Sequence, residues 1–225
     1  MAQLINNALS ELLSNGWAAF QLPNDDAVAI EQAALEIAVL LGQPKATRRH
    51  GPLIDELIPT NKHAANLRSL SARYGLNPFP WHTDGAHWGT PPRYLVMGCL
   101  EAAPRTAQTI FCEGRAFEPL NLEEARSSTF RVTNGSNSFY TAARDSADRY
   151  YRFDPGCMTP MDAGAHKIVR AIDLFEPEDQ HAITWQAGTF LLLDNWRFIH
   201  RRGAAQGSTE RKLLRVTVME RMNHG

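Results

Sequence analysis

The residues best suited to chemistry are His82 and Asp84, which are separated by one residue in the segment Trp81-His82-Thr83-Asp84. In an extended chain, residues i and i+2 project from the same face, so this imidazole and this carboxylate would point toward one place. A third ligand is expected from His200, which follows the apolar segment GTFLLLDN. Two histidines and one carboxylate leave positions open on Fe(II), which oxygen chemistry requires. The pattern therefore predicts an iron centre formed by His82, Asp84 and His200.

Two neighbours of this pair, His87 and Trp81, are candidates for the metal site or the substrate pocket. His87 lies three residues after Asp84, so in an extended chain its side chain points away from the His82 side. We therefore place His87 in the lining of a pocket and not among the ligands. Trp81 either packs in the core, as large aromatic residues beside a turn more often do, or forms a wall of the substrate pocket. We count Trp81 among the candidate substrate-binding residues.

The segments that must position these residues are mostly short, rich in β-branched and aromatic residues, and separated by Gly, Pro, Asn or Asp. They predict an antiparallel β domain. The predicted strands lie at residues 67–74, 80–84, 93–102, 108–114, 129–134, 165–172, 188–195 and 213–221. Only residues 121–126 and 176–182 look helical within this part, and each is too short for a βαβ crossover. The predicted fold class is therefore mainly β with flanking helices.

Two longer helices are predicted before the β domain, at residues 5–13 and 25–41. The second should begin with a cap at Asp25 or Asp26. Its predicted apolar stripe runs through Val28, Leu35 and Val39. The rest of residues 1–66 shows little periodicity, so we expect a helical and loop-rich N-terminal part that packs on the β core.

Composition limits the class of protein and its partners. At 225 residues and 44% apolar residues, the chain is long enough for one packed domain, which we expect to span residues 1–225. A formal net charge of -1 offers no general attraction for nucleic acid or an anionic membrane. Three widely spaced cysteines without a C-x-x-C pair suit a reducing compartment. With no signal peptide or membrane span visible, we expect a cytoplasmic protein whose partner is a small-molecule substrate.

Three blocks of sequence resemble one family, the taurine dioxygenase and clavaminate synthase-like Fe(II)/2-oxoglutarate-dependent oxygenases. The blocks are WHTDGAHWGTPP, LEAAPRTAQTIF and GTFLLLDNWRFIHRRGAAQGSTERKLLRVTV. The resemblance implies a double-stranded β-helix core of the jelly-roll, cupin-like type. It also implies Fe(II) as cofactor, with 2-oxoglutarate and O2 as cosubstrates.

Several site residues are implied by this resemblance alone. Thr109 matches a threonine that contacts 2-oxoglutarate, although the family has G-G-x-T where this chain reads Thr106-Ala107-Gln108-Thr109. Arg211 matches the arginine that holds the distal carboxylate of 2-oxoglutarate, and a guanidinium suits a carboxylate because it offers two parallel hydrogen bonds. Arg215 would point toward the substrate or the inner end of the cosubstrate.

The resulting hypothesis is a dioxygenase that oxidises, by default hydroxylates, a C–H bond of a small molecule and releases succinate and CO2. Arg68, on the predicted strand before the metal pair, joins Arg215 as a candidate substrate-binding residue. These arginines favour a carboxylate-bearing or amino-acid-like substrate. Two alternatives remain open at this point: a Zn(II)-dependent hydrolase using the same three ligands, and a non-catalytic, metal-stabilised β-barrel that binds a ligand.

Overall fold

Twelve strands and five α-helices form the fold over residues 1–48, 50–67, 69–206 and 209–221, which the computed structural model describes. The strands are β1 (Trp17–Gln21), β2 (Gln43–Lys45), β3 (Ile54–Leu57), β4 (Tyr94–Ala102), β5 (Thr109–Glu113), β6 (Phe130–Asn134), β7 (Asn137–Thr141), β8 (Met158–Pro160), β9 (His181–Ile183), β10 (Thr189–Asp194), β11 (Phe198–Arg202) and β12 (Arg211–Met219). The helices are α1 (Ala2–Asn15), α2 (Ala27–Leu41), α3 (Leu70–Tyr74), α4 (Glu124–Ser127) and α5 (Ala163–Leu174). Lys62–Ala64 and Glu118–Asn121 form short 3-10 helices.

The longest apolar segments form the centre of a six-stranded antiparallel sheet. Its strand order is β1-β10-β4-β12-β2, and β3 also pairs with β12. The central strands β4 and β10 are buried on both faces, which explains why their sequences are continuously apolar rather than alternating. The N-terminal region adds β1, β2 and β3 to this sheet, so it forms part of the β structure as well as covering it.

A second antiparallel sheet, in the order β11-β5-β9, lies against one face of the first. The two sheets share one hydrophobic cluster, whose buried members are Leu95, Met97, Cys99, Phe111, Trp185, Leu191, Leu193, Phe198 and Leu213. The alternate residues of β4, β10 and β12 face the opposite side, where they pack against α1 and α2. The third sheet, β7-β6-β8, packs with α5 in a separate cluster. This architecture confirms the prediction of a mainly β, jelly-roll fold with flanking helices.

Helix α2 begins as predicted, but its buried face differs from the predicted one. Asp26 caps the helix, and its side chain accepts a hydrogen bond from the backbone N–H of Val28 at 2.9 Å. The predicted stripe is wrong, because Val28 and Val39 are 60% and 55% exposed. The buried residues are Ile30, Ala33, Ala34, Ile37 and Ala38. The sequence is apolar on almost every side, and the small alanines allow the closest approach to the sheet.

Four of the predicted segments have a different secondary structure. The strand predicted at residues 80–84 is a loop and turn in which His82 forms an isolated bridge. Residues 70–74 of the strand predicted at residues 67–74 form helix α3, and the strand predicted at residues 165–172 lies within helix α5. In α5 the buried positions are Ala165, Ile168 and Ile172, a helical spacing that a short apolar segment shares with a buried strand. Residues 176–182 were predicted as helix-like, but residues 176–180 are irregular and residues 181–182 belong to β9. No helix in the described ranges has the length and apolar character needed to cross a membrane.

Candidate metal centre

The structure brings His82, Asp84 and His200 together. His82 and His200 form an isolated antiparallel bridge in which each backbone N–H donates to the carbonyl of the other residue at 2.9 Å. The two imidazole centroids are 4.5 Å apart. Asp84 Oδ1 lies 3.9 Å from Nε2 of each histidine. The potential ligand atoms of these three residues all lie within 4.8 Å of one another, and among the described residues this is the group that could hold a metal ion.

The backbone of Asp84 is held by a side chain that we did not select from the sequence. Asn195, in the turn after β10, accepts a hydrogen bond from the Asp84 N–H at 2.9 Å and donates to the Asp84 carbonyl at 3.0 Å. The same amide donates to the carbonyl of Pro92 at 2.8 Å. Gly85 follows with φ 68°, a conformation that favours glycine, and a Cβ there would meet the ring of Pro92. The position of Asp84 is therefore fixed from both sides.

The pKa values of Asp84 and His200 suit a divalent metal, which binds deprotonated ligands. Burial alone would raise the pKa of Asp84, but the charge and hydrogen bond of Arg215 and the neighbouring imidazoles hold it at about 2. Burial, aided by the charges of His82 and Arg215, lowers the pKa of His200 to about 3. Nδ1 of His82 lies 2.9 Å from the carbonyl of Pro80. A proton on Nδ1 would leave Nε2, which faces Asp84, free to bind a metal.

Arg215 connects Asp84 to a second carboxylate. Its Nη1 donates to Asp84 Oδ2 at 2.7 Å, and its Nη2 donates to Asp55 Oδ2 at 3.0 Å. Asp55 lies on β3 directly opposite Arg215 on β12, and its Oδ1 accepts a hydrogen bond from the Thr47 hydroxyl at 2.8 Å. Arg215 is thus occupied by two carboxylates. Because Asp55 balances the positive charge of Arg215, Asp84 keeps its net attraction for a cation.

We expect Asp55→Asn to weaken metal binding by about 10-fold, because loss of an outer-shell partner typically costs 10–100-fold in metal affinity. The amide keeps the shape of the side chain but leaves the charge of Arg215 unbalanced beside Asp84. Titration of the apoprotein with Co(II), followed by its visible absorption, measures the dissociation constant. Glu56→Gln is the matched control, because Glu56 is the next residue on β3 and pairs with Lys212. Equal Co(II) affinity in wild type and Asp55→Asn would contradict this role.

A cavity of about 1370 Å³ opens beside the candidate ligands. Thr109 and Arg211 both line it and are 6% and 5% exposed. The Thr109 hydroxyl accepts a hydrogen bond from Nε1 of Trp185 at 3.1 Å, so its own proton remains available to a ligand. Arg211 donates through Nη1 to the carbonyl of Ala107 at 2.5 Å. Burial lowers the pKa of Arg211 to about 10, which still leaves it charged at neutral pH.

Of the remaining residues considered from the sequence, some line the cavity and others do not. Arg215 lines the cavity between Asp84 and Asp55, and His87 also lines it. Trp81 is not among the residues that line the cavity; it is 3% exposed and packs edge-on against Phe117 in the core. The guanidinium of Arg201 covers the Trp81 ring at 4.4 Å. Arg68 lies outside the described residues.

Comparison with known proteins gives one family and many structures of similar fold. The family model described as taurine catabolism dioxygenase TauD, TfdA family matches residues 18–155 and 153–217. No curated protein sequence matches the chain.

Three structures illustrate the similarity of fold. An asparagine oxygenase in complex with Fe(II), 2S,3S-3-hydroxyasparagine and succinate has a TM-score of 0.74 and 18% identity, covering 97% of this chain and 80% of that one. The non-haem iron oxygenase OrfP, in complex with Fe, succinate and (3S)-hydroxy-L-Arg, has a TM-score of 0.69 and 19% identity, covering 96% and 81%. The PvcB protein from Pseudomonas aeruginosa has a TM-score of 0.68 and 18% identity, covering 95% and 79%.

Proposed function

Since the chain belongs to the taurine catabolism dioxygenase TauD, TfdA family, we propose that it oxidises a C–H bond of an amino-acid-like molecule at a centre formed by His82, Asp84 and His200. It is a non-haem oxidoreductase that uses Fe(II), 2-oxoglutarate and O2. The observation that carries the proposed site is the convergence of these three side chains, with ligand atoms within 4.8 Å of one another.

In this proposal the iron and 2-oxoglutarate supply the oxidising chemistry, in which O2 is consumed, 2-oxoglutarate becomes succinate and CO2, and the substrate is hydroxylated. The chain supplies three ligands and leaves the other positions on the metal open. Asp84 presents Oδ1 toward the histidines, while Arg215 binds Oδ2. This division of the carboxylate oxygens favours binding through one oxygen and keeps space for the cosubstrate.

The cosubstrate would extend from the metal toward Thr109 and Arg211. Both residues line the same cavity as the three ligands. In that position the guanidinium of Arg211 would donate to the distal carboxylate and the hydroxyl of Thr109 would donate beside it, as charge-assisted hydrogen bonds. The absence of a carboxylate partner for Arg211 within the described residues supports this assignment, because a buried charge without an anion is costly.

The proposed substrate class is supported by the cavity and by the structures of similar fold. The wall beyond the metal includes the charged side chains of Arg73 and Asp154 and the imidazole of His87. Two of the structures reported above contain hydroxylated amino acids together with succinate. A small molecule with both a carboxylate and an amino group matches a wall that carries charges of both signs.

The two alternatives predicted from the sequence are not favoured. The family consists of dioxygenases, and a hydrolase would have no use for a buried arginine that lacks an anionic partner. A non-catalytic β-barrel would equally leave the open side of the three-ligand centre without a role. We also propose that residues 1–225 act as one oxygenase domain in the cytoplasm, which the three free cysteines support.

The proposed function is tested by supplying Fe(II), 2-oxoglutarate and O2 with a panel of L-amino acids and their derivatives. We expect at least one amino-acid-like compound to stimulate succinate formation and to gain one oxygen atom by mass spectrometry. Matched amines and carboxylic acids, each with one of the two groups removed, serve as controls. Stimulation by such truncated compounds but by no amino acid derivative would contradict the substrate class.

A further inference from the structure

A second arginine, Arg202, lies beside the residues assigned to the cosubstrate. It is two residues after His200 on β11, so the two side chains project from the same face of the strand. In the register of β11 and β5, Arg202 is directly opposite Thr109. Arg202, Thr109, His200 and Arg211 all line the same cavity. We did not select Arg202 from the sequence, because it lies in the basic segment HRR without a distinguishing pattern.

The charge of Arg202 has no anionic partner among the residues that the structure describes. The side chain is 7% exposed, and its Nη2 donates to the carbonyls of Gly75 and Asn77. Its guanidinium also covers the Phe79 ring, 3.7 Å from the centroid. Within the described residues, neither Arg202 nor Arg211 forms an ion pair, whereas the neighbouring Arg201 binds Glu176.

Two unpaired guanidiniums on one cavity wall create a site for an anion. Arginine side chains remain protonated at neutral pH, so both groups are positive. Carbonyl oxygens satisfy hydrogen bonds but do not neutralise charge, and leaving two like charges buried is expensive. A carboxylate placed between Arg202 and Arg211 would relieve this cost.

The spacing of His200 and Arg202 along β11 is compatible with a ligand that reaches from the metal to Arg202. From His200 to Arg202 the strand advances roughly 7 Å, at about 3.3 Å per residue. This distance suits a five-carbon dicarboxylate whose first carboxylate lies at the metal. We propose that Arg202 is a second cosubstrate-binding residue, which holds the distal carboxylate of 2-oxoglutarate together with Arg211 and Thr109. The inference rests on the proposed function, because it requires 2-oxoglutarate at the metal.

The alternative is that Arg202 only anchors residues 75–79 through its bonds to Gly75 and Asn77 and its contact with Phe79. The two roles differ in how they respond to the ligand. An anchor affects every 2-oxo acid that binds at the metal, whereas a carboxylate-binding residue affects only those with a distal carboxylate. A comparison of 2-oxoglutarate with 2-oxobutyrate, which has no distal carboxylate, therefore separates them.

The experiment titrates anaerobic, Fe(II)-loaded protein with each 2-oxo acid and follows the visible charge-transfer absorption of the chelate. We expect Arg202→Met to weaken 2-oxoglutarate binding by about 10-fold or more, the effect of losing a hydrogen bond to a charged group, and to leave 2-oxobutyrate binding unchanged. Arg202→Lys should retain part of the affinity because it retains the charge. Arg201→Met is the matched control, since it removes an adjacent positive charge that Glu176 already binds.

Equal weakening of both 2-oxo acids in Arg202→Met would overturn the proposal in favour of the anchoring role. Unchanged binding of both would overturn it as well. A wild-type protein that gives no absorption with 2-oxoglutarate would instead refute the proposed function, so the two failures are distinguishable.

Discussion

Asp84→Ala is expected to abolish succinate formation and to weaken metal binding at least about 100-fold, beyond the 10–100-fold typical of outer-shell changes. Asp84 is the one carboxylate among the three candidate ligands, and its Oδ1 lies 3.9 Å from Nε2 of both His82 and His200. Its removal leaves two neutral imidazoles beside the positive charge of Arg215, an arrangement that repels a divalent cation. Co(II) titration and succinate assays measure the two effects.

The variant Asp84→Asn separates charge from shape. It keeps the size of the side chain and should also lose most of the metal affinity, because the amide oxygen is uncharged. The fold should remain intact in both variants, since Asn195 binds the backbone of residue 84 and Asp55 still pairs with Arg215. Circular dichroism checks this point. Full succinate formation by a folded Asp84→Ala protein would refute the assignment of the metal centre.

Arg211→Met is expected to weaken 2-oxoglutarate binding by about 10- to 100-fold, as loss of charge-assisted hydrogen bonds to a carboxylate costs roughly 1.5–3 kcal/mol. The apoprotein should lose less free energy of unfolding than 2-oxoglutarate binding loses. The reason is that the substitution also removes a buried charge that has no anionic partner within the described residues. Calorimetric titration of the metal-loaded protein under anaerobic conditions measures the affinity, and thermal unfolding of the apoprotein measures the stability.

Arg211→Lys is the natural comparison, since it retains the charge but loses the planar fork that matches a carboxylate. We expect its affinity for 2-oxoglutarate to lie between those of wild type and Arg211→Met. Wild-type affinity in Arg211→Met would show that the cosubstrate does not extend toward this arginine.

The three residues of the metal centre could be predicted from the sequence to different degrees. The spacing of His82 and Asp84 suggested a shared target because an extended chain repeats its side-chain direction every two residues. His200 is far away in sequence, and it was selected because it follows an apolar segment predicted as a buried strand. The structure shows what fixes the position of His200: it lies within β11, and its backbone forms a bridge with that of His82. No local pattern encodes that pairing.

The residues that support the centre could not be predicted, because their roles depend on long-range register. Asp55 binds Arg215 only because β3 pairs with β12 at that residue. Asn195 binds Asp84 across a large separation in sequence. Arg202 lies beside the proposed cosubstrate site because it is paired with Thr109 in the register of β11 and β5. Each of these contacts is determined by how strands align, which local composition does not specify.

The errors in secondary structure have a related cause. Residues 165–172 contain too few apolar positions to distinguish a helical period from a strand, and the capping by Asp162 lies outside that window. The apolar sequence of α2 fits more than one stripe, so the choice of buried face depended on the sheet against which it packs. The central strands were predicted correctly because β4, β10 and β12 are rich in apolar and β-branched residues and are bounded by turn residues.

We propose that His82, Asp84 and His200 bind Fe(II) together with 2-oxoglutarate. The most direct measurement is the visible spectrum of anaerobic apoprotein to which Fe(II) and then 2-oxoglutarate are added. We predict a weak charge-transfer band in wild type that is absent from Asp84→Ala and absent when succinate replaces 2-oxoglutarate. A wild-type protein that binds Fe(II) but shows no such band with 2-oxoglutarate would contradict the account.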